Sequence, residues 1–458
     1  MKPVDTLKHY QKNISLVTKN PESPSRGAVG KRRSHLPEGA ECRRNLLLVG
    51  SCALWTFAVH HLLVFISLFV VKRQFWYLSW TLSAFAILAV IAVTIGGIGG
   101  RLSKNPKGLI LILSIPLSIV VALLLQTMFG TNLIDIFGRS SQPVARSVFL
   151  VGIGWFLAGG LLQYGRLARS SILALFSFGV LVACISASLG TSFMVEYGAV
   201  GYGLEEFQSN HLGTSTGFSF IALAAYCSAV GRFRIIIAVV SIAALFALGG
   251  RATMYLFTAT LAICSIFASE LRQRALSVCA VVVVGLLILW GLAGDSDDTS
   301  RMWLFSGVLG GGSAAGRVEA MRIGLSTLER QLAYGAPEAI VEEAGNLGAY
   351  MHNLLSSIQF FGLIPFLLLA AAAVLSLRFA FKFYGSSKRP IDLFGIHLLV
   401  LSCLEVSVAK SVHYSLFWSA IGFWLFRISG SRQILPRSNR VRRFSRPRLD
   451  IGALDKKL

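Results

Sequence analysis

The chain has 458 residues, 54% hydrophobic and 14% charged, with a formal net charge of +22. That composition excludes an ordinary soluble globule, because repeated apolar runs of about 18 residues or more read as transmembrane helices. Nucleic acid is excluded as the reason for the charge by where the charge sits. Residues 1–44 hold ten Lys/Arg against four Asp/Glu, and residues 427–458 hold ten against two. Two basic tails flanking apolar spans belong on the cytoplasmic side of a bilayer, where each basic residue near anionic lipid contributes roughly 1 kcal/mol.

In chain order the sequence predicts a basic tail (1–44), nine spans within 45–293, an outer loop (294–352), three spans within 353–427 and a second basic tail (428–458). The spans fall near 45–71, 75–98, 109–130, 147–165, 171–190, 211–230, 235–250, 252–270, 275–293, 353–376, 391–409 and 414–427. About twelve transmembrane helices make an all-α polytopic membrane protein. The positive-inside rule tests this independently, since every second connection should be basic. Arg101/Lys104/Lys107, Arg166/Arg169, Arg232/Arg234, Arg272/Arg274 and Arg378/Lys382/Lys388/Arg389 all fall on the side of the tails. Lys72-Arg73 breaks the alternation and is read as a snorkelling pair. The N-terminus is long and polar before its first apolar run, so the first span is expected to remain as an anchor. Seven cysteines in spans or on their cytoplasmic side form no disulfide framework or metal motif.

The outer loop is the largest water-facing excursion, and residues 295–351 carry eight acidic and four basic side chains. An arginine on this acidic face needs a reason. Arg317 follows the glycine-rich run 310–316 and is placed in the first turn of a helix reaching about Gln331. A helix N-terminus disfavours a cation unless an anion is bound there, and its free N–H groups suit a phosphate. Arg322 either shares that role or forms a surface pair with Glu319. Arg251, after Gly249-Gly250, opens a span either as a snorkelling terminus or as an anion ligand. His352, placed in the first turn of the tenth span, is either structural or a general base; a helix N-terminus and nearby arginines oppose its protonation. Asn210-His211 opens the sixth span, either with Asn210 as its cap or as a second polar pair on the outer face. Glu405 and Lys410, with His413 close by, form either a packing pair or a functional site. Neither a phosphate-cradling GxxxxGK[ST] nor an HExxH motif is present, so a nucleotide-driven or zinc-centred reaction is not expected.

Three segments together resemble the superfamily of bacterial O-antigen ligases and polysaccharide polymerases. They are Asn210-His211-Leu212-Gly213 opening a span, Gly250-Arg251-Ala252 opening another, and His352-Asn353 closing the loop ahead of Gly362-Leu363-Ile364. Arg317, followed by Tyr334-Gly335-Ala336-Pro337, is similar to that family's loop arginine and glycine turn. The likeness covers roughly residues 190–370. The eight residues from Leu354 to Phe361, Pro365 and Met321 depart from the ligase pattern, which favours the polymerase branch. The resemblance implies a GT-C-like fold in the bacterial inner membrane with both termini cytoplasmic. It also implies transfer of a glycan from undecaprenyl diphosphate to an acceptor glycan, a lipid-linked repeat or lipid A core, on the periplasmic face. Arg251 and Arg317 would grip the diphosphate, His352 would act as base, and Asn210, His211, Arg322 and Asn353 would support them. A secondary transporter is the rival of another class.

Overall fold

A computed structural model describes residues 50–51, 106–136, 138, 140–188, 204–248, 250–267, 312–345, 349–384 and 389–430. The described residues are helical, with no strand and one isolated bridge between Ile134 and Ser140. The helices are α1 (Pro106–Phe129), α2 (Ser141–Leu162), α3 (Arg169–Ser188), α4 (Leu204–Ser228), α5 (Arg232–Ala247) and α6 (Arg251–Ile266). They continue with α7 (Gly312–Ser326), α8 (Leu328–Gln331), α9 (Pro337–Ala344), α10 (Ser356–Phe361), α11 (Leu363–Tyr384), α12 (Pro390–Val408) and α13 (Ser415–Gly430). Of the nine expected spans that fall among these residues, eight each overlap one helix, and the one near 353–376 is divided between α10 and α11. The expected spans near 45–71, 75–98 and 275–293, both tails and Lys72-Arg73 lie outside the described residues.

Among the described residues four helices, α1, α2, α11 and α12, are long and apolar enough to cross a membrane. Their burial separates two roles. On α1 the side chains Ile110, Leu113, Leu117, Val121, Leu124 and Met128 form an exposed apolar stripe at helical spacing. So broad a stripe suits hydrocarbon rather than water. By contrast α12 is buried almost throughout and packs against α4, α6, α11 and α13.

The tightest helix pair is α2 with α13. A Cβ on Gly159 would strike the Ser419 backbone, and one on Gly422 would strike the Phe156 carbonyl. Helices in a bilayer gain by such close approach because lipid tails already satisfy apolar side chains, leaving packing and hydrogen bonds to hold helices together. The Ser419 hydroxyl donates to the Trp155 carbonyl at 3.1 Å across this seam. At the start of α12, Asp392 pairs with Arg427 of α13 at 3.0 Å, and Trp424 Nε1 donates to the Gly395 carbonyl at 2.9 Å. These contacts make α12 and α13 an antiparallel hairpin whose short turn, residues 409–414, lies at the other end.

Candidate functional site

The tenth expected span is two helices. Position 362 divides them: Gly362 has φ +86°, a conformation open to glycine, and α11 begins only at Leu363. Gly335, at φ +79°, faces it from the turn after α8. A Cβ on Gly335 would lie 2.6 Å from the Phe360 carbonyl carbon, and one on Gly362 would lie 2.9 Å from the Ala333 oxygen. The two backbones are bonded where they meet, through Ala336 N–H to Gln359 O at 3.0 Å and Leu363 N–H to Leu332 O at 2.9 Å. Gln126 of α1 then donates to both the Tyr334 carbonyl at 2.7 Å and the Phe360 carbonyl at 2.6 Å. The turn Tyr334-Gly335-Ala336-Pro337 and the glycine after the His-Asn pair are thus one joint, which fixes the strap 349–355.

That strap carries His352, in a bend three residues before Leu355 rather than in the first turn of a spanning helix. No long helix N-terminus therefore acts on this imidazole, since α10 has only six residues. Its surroundings come from tertiary packing instead. The Tyr350 ring lies 5.2 Å from His352, 4.8 Å from His413 and 5.9 Å from Phe360, centroid to centroid. Asn353 accepts from Leu355 N–H at 3.0 Å, and its amide nitrogen lies 3.6 Å from Met321 Sδ on α7. Met351 N–H donates to Gln359 Oε1 at 2.7 Å, and Met351 fills the space beside Gly324.

On α7 the helix is already formed at Gly312, so Arg317 sits in its second turn and not the first. The cause is Ser313-Ala314-Ala315, which favours helix and extends it back into the glycine-rich run. Position 317 is one turn before Met321 and shares its helix face, the face that meets Asn353. The Arg317 side chain lies outside the described residues, as do those of Asn210, His211 and Arg251. Asn210 and His211 fall in the second turn of α4, which starts at Leu204, so Asn210 is not the cap. Arg251 opens α6 as expected. Its neighbour Gly250 abuts Ser215 of α4, one turn beyond His211. Arg322 forms the surface pair: Nε and Nη2 bond Glu319 at 2.9 and 2.6 Å on an exposed face, and this hydrogen bonding holds the Glu319 carboxyl below its ordinary range.

The last turn of α12 closes the same end of the bundle. Glu405 is fully buried, with the Thr253 hydroxyl of α6 and Lys410 as neighbours acting on its charge. Lys410 N–H donates to the Glu405 carbonyl at 2.8 Å, and its ammonium stands 5.8 Å from the Tyr414 ring centroid. Beyond it the Ser411 hydroxyl and His413 Nδ1 are 2.9 Å apart. Burial among the rings and the nearby His352 push the His413 pKa down to about 4, so it stands neutral at neutral pH. Sequence reading gave Tyr350 no role and left His413 beside Glu405. Tyr350 and His352 stand in one connection and Lys410 and His413 in another, and only packing joins them.

Among the described residues no group of three or more metal-ligating side chains is present. No protein-family model and no curated protein matches this chain. What the fold and these positions define is a helical membrane protein with half-buried polar residues gathered at one end of its bundle.

Proposed function

We propose that this protein is a glycosyltransferase of the O-antigen ligase and polysaccharide polymerase type. On this reading it has about twelve spans, a GT-C-like fold and a bacterial inner-membrane location, and it transfers a glycan en bloc from undecaprenyl diphosphate on the periplasmic face. The observation that carries it is one assembly. The His352-Asn353 strap touches Met321 on the α7 face that bears position 317 and, through Tyr350, the 409–414 turn; that turn follows Glu405, which neighbours Thr253 in the first turn of α6 that Arg251 opens. His352 takes the proton of an acceptor hydroxyl as its oxygen bonds the anomeric carbon. The bond to the diphosphate oxygen breaks with its electron pair, inverting that carbon, while Arg251 and Arg317 hold the charge that develops. His352 afterwards releases the proton to water. The spacing from His352-Asn353 to Gly362 favours a polymerase over a ligase to lipid A core.

Glu405, fully buried within a spanning helix, supports a second reading, a secondary transporter, because intramembrane carboxylates often carry ions or protons. Purified protein in lipid nanodiscs, supplied with undecaprenyl-diphosphate-linked repeats, separates the two. Consumption of the lipid-linked glycan with release of undecaprenyl diphosphate is the expected result, and an unchanged substrate pool would sink the transferase. Surface glycans of a deletion strain then divide the branches. Loss of long chains with short repeats retained marks a polymerase, and accumulation of free lipid-linked long chains marks a ligase.

A further inference from the structure

The transfer reading leaves open where the acceptor sugar lies, and the packing around His352 speaks to it. The strap has two sides. Asn353 leads to α7 and the arginine position, while Tyr350 leads to His413 on the turn between α12 and α13. That turn is held rigidly. Val412 N–H donates to Ser356 Oγ at 2.8 Å, Trp418 Nε1 donates to the Val412 carbonyl at 2.7 Å, and Tyr414 N–H closes the turn on the Ser411 carbonyl at 3.0 Å. The imidazole it presents lies nearly parallel to Tyr350, at 28°, and edge-on to the fully buried Phe360 at 4.9 Å. Phe360 is buried behind these rings, while Tyr350, His352 and His413 are half-buried.

A rigid ring pair beside a proton acceptor suits a neutral, hydroxyl-rich ligand with apolar C–H faces. We propose that Tyr350 and His413 form the acceptor-sugar subsite, packing the sugar ring and bonding its hydroxyls while the reacting hydroxyl faces His352. This inference rests on the glycan-transfer reading. Its chemistry separates the subsite from the diphosphate side: an uncharged imidazole tied through Nδ1 to Ser411 offers its other nitrogen to a hydrogen bond, but no positive charge to a phosphate.

The test uses full-length protein in nanodiscs, with a fixed undecaprenyl-diphosphate-linked repeat as donor and a soluble oligosaccharide of the same repeat as titrated acceptor. Tyr350→Leu and His413→Phe should each raise the acceptor KM by about tenfold, as loss of a ring contact or a buried hydrogen bond implies. Their kcat should fall by less than their acceptor KM rises, because His352 itself is kept. Binding of undecaprenyl diphosphate alone should equal that of the wild type, which also shows that the variants are folded. His413→Gln, which keeps a hydrogen-bonding group, should recover part of the loss in His413→Phe. Unchanged acceptor KM in both variants, or a fall in kcat at constant KM, would overturn the subsite and leave the transferase standing. A wild type that consumes no lipid-linked glycan removes the transferase and the subsite together.

Discussion

Two histidines bracket α12, and their surroundings differ in kind. His397, in its first half, is buried; its Nδ1 lies 2.8 Å from the Leu393 carbonyl and 3.7 Å from Cys227 Sγ, with the Tyr226 and Tyr384 rings at 5.5 and 6.3 Å. Every one of these neighbours is on a helix, and Asp392 and Arg427 close the same end as a buried pair. His413, just past the other end, is half-buried on a turn, and its neighbours come from a turn, a strap and a six-residue helix. Helix-borne polar groups with their partners inside the bundle fasten spans together. Loop-borne groups held rigidly yet left half open are placed to meet a ligand.

The sharpest way to break this comparison is to remove the group on which the open end depends. A general base contributes about 10² to 10⁴ in rate, so His352→Ala should lose transfer by that factor at unchanged membrane abundance. His352→Gln should do no better, because an amide keeps the hydrogen bonding but takes up no proton. Glycan product measured against protein level decides the matter, and an active glutamine variant would make the histidine a structural member of the strap.

Arg317→Lys and Arg251→Lys come next. A guanidinium bonds a diphosphate through two parallel N–H groups and an ammonium does not, so a loss of about ten- to a hundredfold is expected at constant charge. Near-normal turnover would return both residues to the surface. The joint beneath the strap should matter in a different way. Gly362→Ala places a side chain in a glycine-only conformation and against the Ala333-Tyr334 backbone, at a cost of about 2–5 kcal/mol. Thermal unfolding in detergent would show it, and wild-type stability would mean that the joint yields.

The closed end should respond in stability alone. Asp392→Asn leaves Arg427 buried without its counter-charge, which costs about 3–5 kcal/mol. Turnover per folded molecule should stay at the wild-type level. A fall in turnover at unchanged stability would show that the two ends are coupled and dissolve the distinction between them.

What the sequence disclosed follows the same division. The positions of the described helices were largely legible from apolar length, which is a one-dimensional property of the chain. The starts of α4 and α7 were misplaced toward the C-terminus, since helix in Leu204–Ser209 and Gly312–Gly316 continues through polar and small residues that carry no apolar period. The break at Gly362 was hidden because Ser356–Phe361 and Leu363–Tyr384 read as one apolar stretch, and a backbone clash with Gly335 has no local signature. Arg251, His352 and Asn353 were singled out by residue type and position. The neighbourhood of Tyr350 and His413 was not, because 63 residues separate them and ring packing alone joins them.

The smallest expected effect concerns protons at the open end. Burial and the neighbouring His352 lower the His413 pKa from 6.5 to about 4, so over that interval the unfolded chain binds more protons than the folded one. By linkage, stability contributed by the neutral ring is fully present above about pH 6.5 and is lost as pH falls toward 4. His413→Gln has no proton to bind in either state, so its unfolding midpoint in detergent should fall less steeply over that window than the wild type's. At pH 7.5 and above the linked difference should vanish, leaving a constant offset from the substitution itself. Parallel curves from pH 4 to 8 would mean that the imidazole titrates near its ordinary value, as it would with water in place of the Tyr350 and Phe360 rings.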